Sequence, residues 1–109
     1  MTLFPRADFV RNKLVSDPVQ VALGVNAVQI LAANSARRSL IVQNTGTTVI
    51  YLVLGAVDPA PGVYHVALRG GTGVDDGGGT IYAEDSWKGP VRAVSSGMGG
   101  RLVVMEING

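Results

Sequence analysis

The amino-acid sequence predicts an all-β fold, an antiparallel β-sandwich or jelly roll of about eight strands behind an N-terminal arm. Three observations predict it. Fifteen glycines and five prolines divide the 109 residues into short segments, and both residue types weaken the interiors of helices and strands. The segments between them are rich in Val, Ile, Leu and Tyr and alternate at a period of two, the strand signature. They recur at roughly 8–12-residue spacing, as in sandwiches and barrels, while the helical period fits poorly throughout. The length allows one domain. Residues 18–109 read as a single β-sandwich and residues 1–17 as an arm or edge strand. In the arm Phe4, Phe9, Val10, Leu14 and Val15 are interleaved with Arg6, Arg11 and Lys13, which fits the strand pattern least well.

Along the chain, Val19, Val21 and Leu23 alternate with Gln20 and Ala22, and a turn at Gly24 to Asn26 leads to Val28, Ile30 and Leu31. A polar turn over Ala32 to Ala36 precedes a third strand, Ser39 to Gln43. The three read as successive antiparallel neighbours. Asn44-Thr45-Gly46-Thr47 offers glycine where positive φ is cheap, so the spacing predicts a hairpin into Thr48 to Leu54. That run is almost wholly apolar, as expected of a strand covered on both faces. Asp58 to Gly62 contains two prolines and is a loop; Val63 to Leu68 is a strand. Six of the ten residues in GGTGVDDGGG, residues 70–79, are glycine, which predicts an exposed loop, flexible or tightly turned. Thr80 to Ala83 resumes as a strand, Glu84 to Ser86 turns, and Trp87 anchors against apolar surface. Val91 to Val94 and Arg101 to Ile107 close the chain around a turn at Ser95 to Gly100.

Composition restricts the function. One histidine, no cysteine and eight carboxylates, mostly in turns, leave little with which to build a catalytic centre. No catalytic, cofactor-binding or metal-binding residue is assigned. His65 lies in an expected strand with no motif around it and reads as a solvent-facing or interface residue. An enzymatic site would require it to meet Asp75, Asp76 or Glu84 in a cleft. In the glycine-rich loop the third glycine of a dinucleotide fingerprint is replaced by Asp76, so no phosphate cradle is expected. A calcium site there would need Asp75, Asp76, Glu84 and Asp85 to converge; the default is a solvated tip. Net charge of +1, with no basic run longer than Arg37-Arg38, disfavours nucleic acid and membrane surfaces as partners. A planar guanidinium from that pair is suited to bonding turn carbonyls or a carboxylate. Tyr51, Tyr64, Tyr82 and Trp87 would suit a carbohydrate platform, though burial is the commoner fate of aromatic rings. The apolar N-terminal stretch is broken by Pro5, Arg6 and Asp8, so no export signal is expected.

The segment LAANSARRSLIVQNTGTTVIYLVLG, within Val19 to Gly55, resembles a pattern common in small structural proteins of tailed bacteriophages. Its marks are an apolar strand, an Ala-Asn turn, paired arginines, then Ser-Leu-Ile-Val-Gln-Asn and a glycine turn into a Tyr-containing strand. KGPVRAVSSGMGGRLVVMEI is similar to the closing hairpin of such proteins. The glycine-rich 70–79 loop departs from the pattern. The resemblance implies a β-sandwich that decorates or cements capsids, or serves as a receptor- or glycan-binding module in a tail or fibre. The free-standing length favours the capsid role, on the exterior of the virion, for a protein made in the host cytoplasm. The implied partners are a major capsid protein and further copies of the chain, as a homodimer by default or a homotrimer. Phe4, Phe9, Val10 and Leu14 are the expected contacts, with Arg37 and Arg38 ordering the turn beside them.

Overall fold

A computed structural model describes residues 15–109. Phe4, Phe9, Val10 and Leu14 therefore lie outside the described residues. Eight strands follow in order: β1 (Val19–Leu23), β2 (Val28–Leu31), β3 (Arg37–Asn44), β4 (Ile50–Leu54), β5 (Val66–Leu68), β6 (Ile81–Asp85), β7 (Val91–Ser95) and β8 (Gly100–Asn108). They form two four-stranded antiparallel sheets, one ordered β1-β8-β3-β6 and the other β2-β7-β4-β5. We call these sheet I and sheet II. The expected sandwich is present, and its strand order is that of the eight-stranded jelly roll, in which every consecutive pair of strands except β4 and β5 crosses between layers. Among the described residues no helix is long and apolar enough to cross a membrane.

The period-two pattern decides which side chains meet between the sheets. Leu40 and Val42 of β3, Leu102 and Val104 of β8, Ile50 and Leu52 of β4, Val91 and Ala93 of β7, and Leu68 of β5 are buried there. Tyr82 and Trp87 pack against the same core, and the Trp87 indole donates to the Pro90 carbonyl at 3.0 Å. β4 is covered on both sides, as its composition predicts. Val53 alternates away from the core yet is buried beside the 55–65 loop, and Tyr51 meets Tyr64 at a ring-centroid distance of 5.1 Å.

Three expectations about pairing are corrected. β1, β2 and β3 are not successive neighbours: β8 separates β1 from β3, and β2 is an edge of sheet II. The Asn44–Thr47 turn does not close a hairpin, because β3 belongs to sheet I and β4 to sheet II. It is an arch between layers. β7 and β8 likewise lie in different sheets, so the last two strands form no hairpin either. The reason is visible at Asn44, whose side chain is buried at the end of β3. Its amide donates to the carbonyls of Thr48 (2.7 Å) and Leu68 (2.9 Å), and its Oδ1 accepts from Gly46 N–H (3.0 Å). Asn44 thus ends a strand of sheet I while bonding backbone at the edge of sheet II, which carries the chain across.

The glycine-rich loop is tightly turned and tied to this arch. Gly71 N–H donates to Gly46 O, Asp75 N–H to Thr45 O, and Asp75 pairs with Arg101 at 3.2 Å. A Cβ on Gly79 would collide with the Asn44 carbonyl oxygen, so backbone can approach backbone here only without a side chain.

Candidate interaction surface

The outer face of sheet I is built from residues that alternate with the core. In β3 these are Ser39, Ile41 and Gln43; in β8, Arg101, Val103, Met105 and Ile107; in β6, Ile81, Ala83 and Asp85. Register places Ile41 between Met105 and Ala83, and Gln43 between Val103 and Ile81. The result is an apolar strip along β8 that crosses β3 to the β6 edge. Ile81 is 61% exposed, and the others are half-buried or exposed. Among the described residues no strand or helix lies over this strip; only the glycine-rich loop reaches its corner, where Gln43 donates to the Gly79 carbonyl at 3.4 Å.

At the opposite end of the strip is an open hollow of about 570 Å³, lined by Arg38, Ser39, Asp85, Ser86, Lys88 and Ile107. It combines two cations, one carboxylate and an apolar wall, a mixture suited to anchoring a polar end beside a greasy contact. Arg38 is exposed at its rim.

Arg37 is different. Its side chain is fully buried, with Nε on Glu106 Oε2 (2.8 Å) and the terminal nitrogens on the carbonyls of Trp87 (3.2 Å), Gly89 (2.8 Å) and Ala32 (2.6 Å). One arginine of the pair was expected to bond turn carbonyls or a carboxylate, and Arg37 does both. Fully buried, the Arg37 guanidinium presents no surface of its own and orders the turns from inside. Asn34 completes the cluster, donating to Glu106 and Asn108.

The remaining candidates are dispersed. His65 lines a shallow groove of about 400 Å³ on sheet II with Val53, Leu54, Val57, Val63 and Tyr64, and its Nδ1 accepts from Leu54 N–H at 2.9 Å. No carboxylate lines that groove. Asp76 is engaged within its own loop by the N–H groups of Gly78 (2.8 Å) and Gly73 (2.9 Å) and the Thr72 hydroxyl (2.9 Å). Those bonds, the Gly78 one foremost, hold its carboxyl below the ordinary 3.8. Burial, reinforced by the hydrogen bond to Glu84, pushes the Tyr82 hydroxyl up to about 12. No group of three or more His, Cys, Asp or Glu able to hold a metal ion occurs among the described residues. Of the four rings considered for a carbohydrate platform, Tyr82 and Trp87 pack against the core, and Tyr64 is exposed on top of Tyr51.

Sequence reasoning missed the outer strip of sheet I. Its signal is the run Leu102-Val103-Val104-Met105, where apolar residues fill both phases of the alternation, so one set must face outward. Compared with known proteins, the chain matches no family model, no curated protein and no solved structure.

Proposed function

We propose that this chain is a non-enzymatic structural protein of a phage particle, a decoration or cement subunit that bridges neighbouring capsid subunits on the outside of the head. The observation that carries the proposal is the outward apolar strip of sheet I, from Ile107 and Met105 through Ile41 to Ala83 and Ile81. An uncovered apolar sheet face is costly in water and gains roughly 25 cal/mol per Å² when a partner covers it. The choice of a capsid as partner rests on the resemblance of two sequence segments to structural proteins of tailed phages. Jelly rolls occur in viral capsid and lectin domains, which is agreement at the level of fold and assigns no function by itself.

Cementing follows from the same physics. A subunit that binds the assembled lattice but not its separated parts stabilises the lattice by mass action, and one that touches two capsid subunits gains through effective concentration. Such a protein needs shape, area and many copies. Cryo-electron microscopy of phage particles produced with and without the chain tests the proposal. Density over seams between capsid subunits, lost when the chain is omitted, is the expected result. Density on the tail would favour a receptor- or glycan-binding module, and particles identical in both preparations would refute a virion role.

A further inference from the structure

We propose that two copies of this chain associate through the edge of β6, which no other described strand covers, the strands running antiparallel about a two-fold axis at Ala83 and joining two copies of sheet I into one. The inference rests on the sheet geometry alone and stands whether or not the chain decorates a capsid.

Exposed sheet edges carry unpaired N–H and C=O groups, and proteins blunt them with proline, charged side chains, bulges or brevity. Three of the four edges here show such features or lack a continuous apolar face. β5 is only three residues long. β2 carries a register shift between Gln29 and Leu31. β1 follows Pro18, and its outward residues Gln20 and Ala22 do not prolong the apolar strip. β6 runs five residues in unbroken register with β3 and contains no proline or bulge; its two charges, Glu84 and Asp85, sit together at one end of the strand.

The direction of its free groups follows from two bonds at its ends. Asn44 N–H donates to Thr80 O, and Ser86 N–H donates to Arg38 O. Antiparallel alternation then turns Tyr82 and Glu84 toward β3 and leaves the N–H and C=O of Ile81, Ala83 and Asp85 facing outward. The Asp85 carbonyl also accepts from the Ser86 hydroxyl and keeps its second lone pair.

A two-fold axis at Ala83 makes this edge complementary to itself. Ala83 meets Ala83, Ile81 meets Asp85, and Tyr82 meets Glu84 of the second copy. No like charges stand directly opposite. Tyr82 Oη already donates to Glu84 Oε1 at 2.7 Å within the strand, so the pairing sets matched phenol and carboxylate groups across the axis. On the outer side, Ala83 and Ile81 of both copies join, carrying the strip from Met105 and Ile41 unbroken into the second molecule.

Sedimentation equilibrium of the wild-type chain over roughly 1 μM to 1 mM is expected to show a monomer–dimer equilibrium. Ala83 is exposed, so Ala83→Glu and Ala83→Lys are expected to keep the wild-type circular dichroism. Each sets a charge against its own copy and weakens the dimer about tenfold or more, whereas mixing the two variants restores it. Ala22→Glu, on the β1 edge, leaves association unchanged. A wild-type chain that stays monomeric throughout, a dimer indifferent to both Ala83 variants, folded variants that fail to restore it when mixed, or loss of association in Ala22→Glu would each overturn the proposal. Should the charged variants fail to fold, amide exchange on the wild type decides. Protection of Ile81, Ala83 and Asp85 that rises with protein concentration supports the β6 edge, and fast exchange at every concentration refutes it.

Discussion

The side chain with the largest structural task is one whose sequence context advertises a surface role. Arg37 stands in a pair of arginines, yet its guanidinium closes one end of the sandwich by bonding three carbonyls and Glu106. Arg37→Ala would take the guanidinium from the three carbonyls and leave the half-buried Glu106 carboxylate without its countercharge, held by Asn34 alone. It is expected to lower the unfolding free energy in urea by about 3–5 kcal/mol, against less than about 0.5 kcal/mol for Arg38→Ala. Equal effects of the two substitutions would contradict this account. Asp76 makes a prediction in pH. Its carboxyl is held below 3.8 in the folded loop, so its contribution to loop order is full above that value. The contribution is lost as pH falls through the lower folded midpoint. The amide proton shifts of Gly73 and Gly78 should report one common titration below 3.8; a midpoint at or above that value would show that the carboxylate does not hold the loop.

Among the elements, the arch from β3 to β4 separates what a sequence can show from what it cannot. All eight strands were legible because period-two alternation and glycine or proline punctuation are local properties. Pairing was not. Asn-Thr-Gly-Thr announces a reversal of direction equally well whether the next strand lies alongside or in the facing layer, and the choice depends on β6 and β8 occupying both edges of β3. The same limit hid the candidate surface: Ile41, Val103 and Met105 are as apolar as Leu40, Leu102 and Val104, and only the assembled sheets show which set faces inward. Arg37 was legible in its chemistry, carbonyls and a carboxylate, but not in its burial. Asn44 holds the arch, so Asn44→Ala, which leaves the Thr48 and Leu68 carbonyls unpaired, should cost about 1–3 kcal/mol in chemical denaturation. A loss of only a few tenths would mean that the crossing is held by strand packing alone.

For the molecule as a whole, the proposed adhesive face and the core lie on opposite sides of the same three strands, so they can be altered separately. Ile41→Glu and Met105→Glu place charges on the outer side of sheet I while leaving Leu40, Val42, Leu102 and Val104 untouched. Both variants are expected to fold with near-wild-type thermal stability and to be missing from purified particles by mass spectrometry; retention at wild-type copy number would remove the face from the contact. The layout also gives the molecule two poles. Val15 bridges Ile107, and Gly109 N–H bonds Ala36 O, so both ends of the described chain emerge beside each other, whereas the glycine-rich loop is fastened to Thr45 and Arg101 at the far ends of β3 and β8. A reporter appended at Gly109 and an epitope spliced in at Gly77 would therefore point away from each other, so antibody access to each on an intact particle would reveal which way up the subunit sits.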